Sequence, residues 1–281
     1  MKHYKAIFFD WDGTAVLSRK APVEDAVNAM RPLLDKGVKL CIVSGTTYEN
    51  IAGGKLHSYF TPKQLENLYL GLGRGAFDYG YNTAGEPTVL VDRVPDAKGI
   101  LAVHDACYRI HRGLLEKYGM NTDIVFSRPN YCKIDLMPAN NRGENLFLQE
   151  GEAARLQHIL RQHGINSIET VIAMAESFGT AEMPLRATTD AKYLEVGPTG
   201  KSDNVDALFA RFGFAAEDCC FWGDEFIGVT DSIFGSDAGM LTEKTKSGDF
   251  YDVSDLEGVR PEQVKHLGGG IQTFLEFLQA Q

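Results

Sequence analysis

This sequence of 281 residues lacks the long hydrophobic runs that are typical of membrane-spanning segments. It also lacks the excess of basic charge that is typical of proteins that bind nucleic acid. No apolar stretch approaches the roughly 18 residues of a membrane-spanning helix, and we expect neither a membrane segment nor a signal peptide. Acidic residues outnumber basic ones by 38 to 28, giving a formal charge of −10. This balance argues against broad binding to nucleic acid or to anionic membranes, which requires a basic face.

Cysteine and histidine are scarce and carry no metal-binding pattern. The five cysteines show neither zinc-ligand spacing nor a disulfide framework, and the seven histidines show no ligand spacing. Reduced thiols are the simplest interpretation, so we expect a cytoplasmic protein. The remaining composition, 44% hydrophobic and 23% charged, is typical of a globular protein with a sizeable core.

Strand and helix signals alternate over the first part of the chain. Short apolar runs at residues 5–9, 38–43 and 68–70 predict buried strands, and helical spacing predicts helices over 23–36 and 47–57. Strands that alternate with helices are typical of a parallel, doubly wound (Rossmann-like) α/β sheet. The same rhythm resumes near Lys201 and continues to the end of the chain, with strands at 218–222 and 250–253 and a helix at 271–280.

The intervening residues have a different pattern. After a hairpin-like stretch over 77–94 we expect, in order, a helix at 97–118, strands at 122–128 and 131–137, a helix at 143–163 and strands at 167–176, 185–188 and 192–196. Helices and strands in this order predict an α+β domain with an antiparallel sheet. The sequence therefore predicts a core of residues 1–84 and 191–281 with a second domain, residues 85–190, inserted into it.

The most informative motif is Asp10-Trp11-Asp12-Gly13-Thr14, directly after the first predicted strand. Parallel α/β sheets bind ligands at the carboxyl ends of their strands, which is where Asp10 lies. Gly13 lets the backbone turn at once, so both carboxylates can face one pocket. Asp and Gly after a strand are also ordinary turn residues, so the motif needs support from elsewhere in the chain.

That support comes from three more residues at strand or helix ends. Ser44 follows the second strand, Lys201 begins a helix, and Asp224 follows the strand at 218–222. Taken singly, the serine could cap a helix, the lysine could be solvated and the aspartate could be a turn residue. In one parallel sheet, however, all of them converge on one edge. Carboxylates gathered there repel each other unless a cation joins them, and oxygen ligands suit Mg²⁺.

Together these motifs resemble the four motifs of the haloacid dehalogenase superfamily of aspartate-nucleophile phosphatases. The resemblance implies that Asp10 attacks phosphorus to form an aspartyl phosphate, and that Asp12 protonates the leaving oxygen and then activates water. It implies that Ser44 and Lys201 bind the phosphoryl oxygens. Asp10, the main-chain carbonyl of Asp12, and Asp224 would hold Mg²⁺. It also implies that the inserted domain is a cap that sets substrate specificity.

Further residues are less fixed by this resemblance. The fourth motif usually carries a second aspartate four residues after the first, whereas here the next one is Asp231, which we predict as the supporting metal ligand. Glu225 is the alternative. The substrate contacts that the resemblance suggests are Gly45, Thr46, Arg128, Asn130 and Arg142, with Lys133 and Arg186 as further cap candidates.

We therefore expect a Mg²⁺-dependent phosphatase that hydrolyses a small phosphate monoester, with a phosphosugar as the expected substrate by family analogy. The expected partner is that small phosphorylated molecule, and the sequence leaves monomer and dimer open. A phosphosugar mutase of the same superfamily is the alternative enzyme. A non-catalytic protein that holds a metal on its aspartates is the alternative outside catalysis.

Overall fold

A computed structural model describes residues 2–126, 128–143 and 148–281. In chain order, the strands are β1 (Ala6–Phe9), β2 (Lys39–Val43), β3 (Leu68–Leu72), β4 (Phe77–Tyr81), β5 (Pro87–Asp92), β6 (Asp123–Val125), β7 (Cys132–Asp135), β8 (Arg186–Thr189), β9 (Tyr193–Gly197), β10 (Cys219–Gly223), β11 (Asp249–Asp252) and β12 (Val264–His266). The helices are α1 (Glu24–Asp35), α2 (Pro62–Leu65), α3 (Ala97–Tyr118), α4 (Glu152–Gln162), α5 (Ile168–Glu176), α6 (Lys201–Phe212) and α7 (Gly270–Ala280).

The chain divides into two compact units. The first unit comprises Met1–Arg93, Gly200–Ile227 and Asp237–Gln281. The second unit comprises Val94–Thr199 and Gly228–Ser236. No helix in the described part of the chain is both long enough and apolar enough to span a membrane. All five cysteines lie in that part, buried and as free thiols.

The first unit is built on an eight-stranded sheet in the order β12-β11-β10-β1-β2-β3-β4-β5. Neighbours from β12 to β3 are parallel, and β4 and β5 add an antiparallel hairpin at the edge. The chain moves outward through β2 and β3 on one side of β1, and later through β10, β11 and β12 on the other. The strand order therefore reverses between β1 and β10, and open α/β sheets bind ligands at such a switch point.

Helices cover both faces of this sheet. In β1, Ile7 and Phe9 belong to the apolar core that also contains residues of α1 and α7, while Ala6 and Phe8 belong to the core that contains residues of α6. All four side chains are fully buried, which explains why β1 is a continuous apolar run without alternation. Burying each large side chain contributes about 1.5–3 kcal/mol, so the strand that carries the site is firmly held.

The second unit has its own sheet and core. Its four strands are antiparallel in the order β6-β7-β9-β8. Helices α3 and α5 pack against this sheet and against each other. Side chains of α3, α4 and α5 join those of β7 and β9 in one apolar cluster. The predicted fold class, a doubly wound α/β core with an inserted α+β domain, is confirmed.

Two predicted elements are wrong. The run 167–176, predicted as a strand, forms α5, whose buried residues Ile168, Val171, Ile172 and Ala175 follow helical spacing. The predicted helix at 47–57 is replaced by three short 3-10 turns, Tyr48–Asn50, Ala52–Gly54 and Leu56–Tyr59. Positive φ angles at residues 52–54 interrupt helical geometry there. The helix predicted from 143 starts only at Glu152 in the structure, and residues 144–147 lie outside the described part.

The boundaries between the units also differ from those that the sequence predicts. The chain leaves the first unit after Arg93 rather than at residue 85, because β5 pairs with β4 on the core sheet. It returns at Gly200 rather than at 191, because β9 pairs with β7 and β8. Residues 228–236 form a second excursion into the second unit, which the sequence does not predict.

Candidate active site

Asp10 lies at the carboxyl end of β1, at the switch point. Its main-chain N–H donates to the main-chain oxygen of Trp222 at 3.0 Å, which ties the end of β1 to β10. Its Oδ1 accepts a hydrogen bond of 2.7 Å from the N–H of Trp11. The side chain is buried at 6% exposure. The backbone therefore fixes one carboxylate oxygen and leaves the other for charged partners.

The turn after Asp10 brings Asp224 close. Gly13 has a φ of 84°, and a Cβ at this position would lie 2.2 Å from Oδ2 of Asp224. Only glycine permits both this backbone angle and this approach. The neighbouring Thr14 donates from Oγ1 to Oδ1 of Asp224 at 3.0 Å. The sequence Gly13-Thr14 is therefore what allows the loops after β1 and β10 to meet.

A third carboxylate, Asp237, completes the group. Asp10, Asp224 and Asp237 each offer an oxygen within 4.8 Å of the other two. Asp237 is fully buried, and its Oδ2 accepts from the N–H of Glu225 at 2.8 Å. A Cβ at Gly223 would lie 2.2 Å from that same oxygen, so the glycine that ends β10 makes room for Asp237.

The structure does not bring Asp231 into this group. Asp231 is exposed and belongs to the second unit, within the excursion 228–236. The spacing from Asp224 favours Asp231, because no sequence pattern reveals that residues 228–236 belong to the second unit. Asp237 is the next aspartate along the chain that belongs to the first unit. Glu225, the alternative, is also outside the three-carboxylate group, and the contact shown is made by its main chain. We therefore replace Asp231 with Asp237 as the candidate ligand.

Lys201 is the ammonium group of the site. It is the first residue of α6, is 5% exposed, and donates from Nζ to Oδ2 of Asp10 at 2.9 Å and to Oδ1 of Asp237 at 2.7 Å. Burial by itself would lower the pKa of Lys201, but the negative charges of Asp10 and Asp237 outweigh it and raise that pKa. Lys201 is therefore a buried cation that bridges two carboxylates, not a solvated lysine.

A buried network fixes the first turn of α6 and hence Lys201. The side chain of Asn204 accepts from the N–H of Gly75 at 2.8 Å and donates to Asp78 at 2.7 Å. Arg93 pairs with Asp78 at 2.6 Å and also donates to the main-chain oxygen of Asp203 at 3.2 Å. Each of these residues belongs to the first unit. The helix is thus anchored to β4 and to the turn between β3 and β4 at the end that carries the lysine.

Asp12 has a different environment from Asp10. Its Oδ1 is buried and receives no hydrogen bond from the described residues, while Nη2 of Arg19 lies 3.4 Å from its Oδ2. Burial, reinforced by the negative charge of Asp10, raises the pKa of Asp12 to about 6. A carboxyl group in this state can hold or release a proton near neutral pH. Arg19 was not singled out by the sequence, because it lies in no recognisable motif.

Ser44 and Thr46 follow β2, the other neighbour of β1. The side chain of Ser44 is 4% exposed, and its Oγ accepts from the N–H of Thr46 at 3.4 Å. Thr46 in turn accepts from the side chain of Asn50 at 2.9 Å. Ser44 does not cap an α-helix, since the next element is a 3-10 turn. The structure places Ser44, Gly45 and Thr46 one strand away from Asp10, at the same edge of the sheet.

The candidate substrate contacts in the second unit already have partners within it. Arg142 is buried between Glu152, at 2.6 Å, and Asp190, at 2.7 Å. Asn130 is fully buried and donates to Thr199 at 2.9 Å. The remaining candidates are Arg128, which is partly buried, Lys133, which pairs with Glu195 at 2.7 Å, and Arg186, which donates to the main-chain oxygen of Pro198 at 2.7 Å. These contacts favour a structural role for Arg142.

No protein-family model and no curated protein sequence matches this chain significantly. Solved structures do match it along nearly its whole length. An IMP-bound IMP-nucleotidase from Plasmodium falciparum, truncated at its N-terminus, has a TM-score of 0.62 at 14% identity, covering 99% of this chain and 68% of that chain. A sucrose-phosphatase from Synechocystis, in complex with sucrose and phosphate, has a TM-score of 0.58 at 13% identity, covering 99% and 98%.

At these identities the likeness concerns the fold alone. The aligned region spans both units of this chain, since it covers 99% of the residues. The resemblance inferred from the four sequence motifs is confirmed at this level. The chain therefore shares the overall fold of these solved phosphatase structures, a doubly wound α/β core with an inserted α+β unit.

Proposed function

We propose that this protein is a Mg²⁺-dependent phosphatase that hydrolyses a small phosphate monoester through an aspartyl-phosphate intermediate. The observation that carries the proposal is the grouping of Asp10, Asp224, Asp237 and Lys201 at the switch point of the sheet. Asp12, with its raised pKa, lies two residues from Asp10. The residues that we propose as nucleophile, proton donor, metal ligands and phosphate-binding cation thus all belong to one unit.

The donor set fits Mg²⁺. Three carboxylates share the site with the ammonium group of Lys201. Burial together with the charges of Asp237, Glu225 and Asp10 raises the pKa of Asp224. Such a group of acids is stabilised by a divalent cation with oxygen ligands. Asp10, Asp224, Asp237 and the main-chain carbonyl of Asp12 would hold the ion. When bound, it would supply positive charge that allows an anionic phosphate to approach an anionic nucleophile.

Residues of this chain would then carry out the two steps of the reaction. A carboxylate oxygen of Asp10 forms a bond to phosphorus as the bond to the leaving oxygen breaks, and Asp12 gives that oxygen its proton. In the second half, Asp12 takes a proton from water, which attacks phosphorus and releases phosphate and the Asp10 carboxylate. Lys201 stabilises the charge on the phosphoryl oxygens, and Ser44 orients them.

The proposed substrate is a phosphosugar, and a nucleoside monophosphate is the second candidate. One structural neighbour is a sucrose-phosphatase and another an IMP-nucleotidase, so the shared fold accommodates both leaving groups. A mutase of the same superfamily would return phosphate to the sugar instead of to water. The cytoplasm, where reduced thiols and phosphorylated metabolites are both found, is the proposed location.

The test is a screen for phosphate release from hexose phosphates, sucrose phosphate and nucleoside monophosphates, with Mg²⁺ and with excess chelator. We expect sustained release of free phosphate that requires Mg²⁺ and is absent in Asp10→Asn. Isomerisation of a hexose phosphate without free phosphate would support the mutase instead. Mg²⁺ binding without turnover of any substrate, including p-nitrophenyl phosphate, would support a non-catalytic metal protein.

A further inference from the structure

The segment between Asp224 and Asp237 does not stay in the first unit. Asp224 follows β10 in the first unit, residues 228–236 belong to the second unit, and Asp237 is the first residue back in the first unit. Two candidate ligands of one metal ion are therefore joined by a segment that packs with the other unit. Asp237 directly follows this segment in the chain.

Backbone and apolar contacts fold this segment into a tight hairpin. Gly228 and Phe234 form an antiparallel bridge, and the N–H of Val229 donates to the main-chain oxygen of Ile233 at 2.8 Å. Val229 is 7% exposed and belongs to the apolar cluster of the second unit, against which Ile233 also packs. The hairpin is thus anchored by two apolar side chains.

Glu169, in the first turn of α5, adds a polar anchor. Its Oε1 accepts from Oγ1 of Thr230 at 2.7 Å and from Oγ of Ser232 at 2.8 Å. Hydrogen bonds from Ser167 and Thr230 to this carboxylate lower the pKa of Glu169 to about 2, so it is ionised in the physiological range. Hydrogen bonds to an ionised acceptor are roughly twice as strong as neutral ones.

We propose that Glu169 is a positioning residue for Asp237: by holding Thr230 and Ser232 it fixes the hairpin 228–236, and with it the place where Asp237 enters the metal site. The return leaves little freedom. The residue after Ser236 is Asp237 itself, whose N–H donates to the main-chain oxygen of Glu225 at 3.2 Å while its carboxylate accepts from the N–H of Glu225. Because Ser236 joins the hairpin directly to Asp237, we expect a displaced hairpin to disturb these two contacts.

The assignment rests on the proposed metal site, and its test measures binding without turnover. Calorimetric titration of the substrate-free protein with Mg²⁺ gives the Kd for wild type, Glu169→Ala and Glu169→Gln. Glu176→Gln is the matched control, since Glu176 ends the same helix and contacts no residue of the hairpin in the described structure. Outer residues that orient metal ligands typically affect affinity 10–100-fold, so we expect about a tenfold weaker Kd in Glu169→Ala.

The amide oxygen of Glu169→Gln can still accept from the two hydroxyls, so this variant should recover most of the affinity, and Glu176→Gln should equal wild type. Urea unfolding separates positioning from stability. A Glu169→Ala protein that loses stability but binds Mg²⁺ as wild type does overturns the assignment. If Glu169→Ala fails to fold, Ser232→Ala removes one of the two hydroxyl groups that donate to Glu169 and should weaken Mg²⁺ binding by a smaller factor. Unchanged Mg²⁺ binding in Ser232→Ala would also overturn the assignment.

A further variant distinguishes failure of the proposed metal site from failure of the proposed role of Glu169. Asp237→Asn reports whether the measured Mg²⁺ is bound at this site, and it should bind the ion more weakly than any Glu169 variant. A wild-type protein that binds no Mg²⁺ overturns the metal site and the role of Glu169 together. Normal Mg²⁺ binding in Glu169→Ala, with weak binding in Asp237→Asn, overturns the role of Glu169 alone.

Discussion

At the scale of single residues, Asp10 and Asp12 have the same side chain but different environments in the structure. Asp10 accepts hydrogen bonds from Lys201 and from the main-chain N–H of Trp11. Asp12 has one buried oxygen without a hydrogen bond from the described residues, and its pKa is raised to about 6. Groups whose environments differ in this way are suited to different steps of one reaction.

Asp10→Asn and Asp12→Asn should therefore fail differently. Loss of the Asp10 carboxylate removes the covalent route, so we expect no turnover. Loss of the proton donor at Asp12 should reduce the rate by about 10²–10⁴-fold and leave Asp10 able to be phosphorylated. Phosphate release measures the rates, and intact-protein mass spectrometry detects the phosphorylated form. Full activity in either variant would contradict these roles.

Gly13→Ala should weaken Mg²⁺ binding. The added Cβ would lie 2.2 Å from Oδ2 of Asp224, so that carboxylate must move. Gly37→Ala is the matched control, because its φ of 82° carries the same backbone strain of about 1–2 kcal/mol but nothing lies within 4 Å of the new Cβ. Calorimetry should show weaker Mg²⁺ binding only for Gly13→Ala, whereas urea unfolding should show destabilisation of both. Equal Mg²⁺ binding by the two variants would disprove the steric explanation.

At the scale of secondary-structure elements, the sequence predicts the strands that carry the candidate site, but it does not predict the third carboxylate, Asp237. Buried strands β1, β2 and β10 are apolar runs that end in polar residues, so Asp10, Ser44 and Asp224 could be placed from sequence. Asp237 follows no such run. Asp237 reaches the site only after residues 228–236 have passed through the second unit, and the hydrophobic periodicity of a local segment does not predict such a path.

The element α5 was mistaken for a strand for a related reason. The run Ile168–Glu176 contains β-branched and apolar residues that favour a strand locally, but burial of one helical face against α3 and the sheet of the second unit decides its structure. Likewise, the family resemblance suggests Arg142 as a substrate contact. Sequence could not show that Glu152, at the start of α4, and Asp190 already neutralise it.

Arg142→Met should thus destabilise the protein without altering substrate affinity. It leaves Glu152 buried without its ion-pair partner, a change that costs about 3–5 kcal/mol in comparable pairs. The control Arg112→Met breaks a solvent-exposed pair with Glu116, and such surface pairs contribute little to stability. Urea unfolding measures both free energies, and KM of the folded enzyme is compared in parallel. A raised KM with unchanged stability would restore Arg142 as a substrate contact.

At the scale of the whole molecule, metal binding at the proposed site would be linked to folding. The candidate ligands come from three separate parts of the sequence, so the site exists only in the folded chain. A ligand that binds the folded state alone stabilises it by about 2.7 kcal/mol at 100 times its Kd. The repulsion among Asp10, Asp224 and Asp237 that Lys201 does not offset is what the cation would relieve.

Mg²⁺ should accordingly raise the unfolding temperature of the wild-type protein, and a chelator should reverse the rise. Asp237→Asn should show a smaller rise, because it lacks one of the three carboxylates. Differential scanning calorimetry at several Mg²⁺ concentrations gives the dependence. An unfolding temperature that is independent of Mg²⁺ in the wild type would exclude binding at this site at the concentrations used.

The chain passes between its two units four times, at residues 93–94, 199–200, 227–228 and 236–237. Had it crossed only at the first two points, the second unit could be exchanged between related proteins as one continuous cassette. If residues 94–199 alone were replaced by those of a related protein, the hairpin 228–236 would pack against side chains that differ from its present partners. Exchange of the whole second unit by recombination would therefore require two distant stretches of the gene to be inherited together.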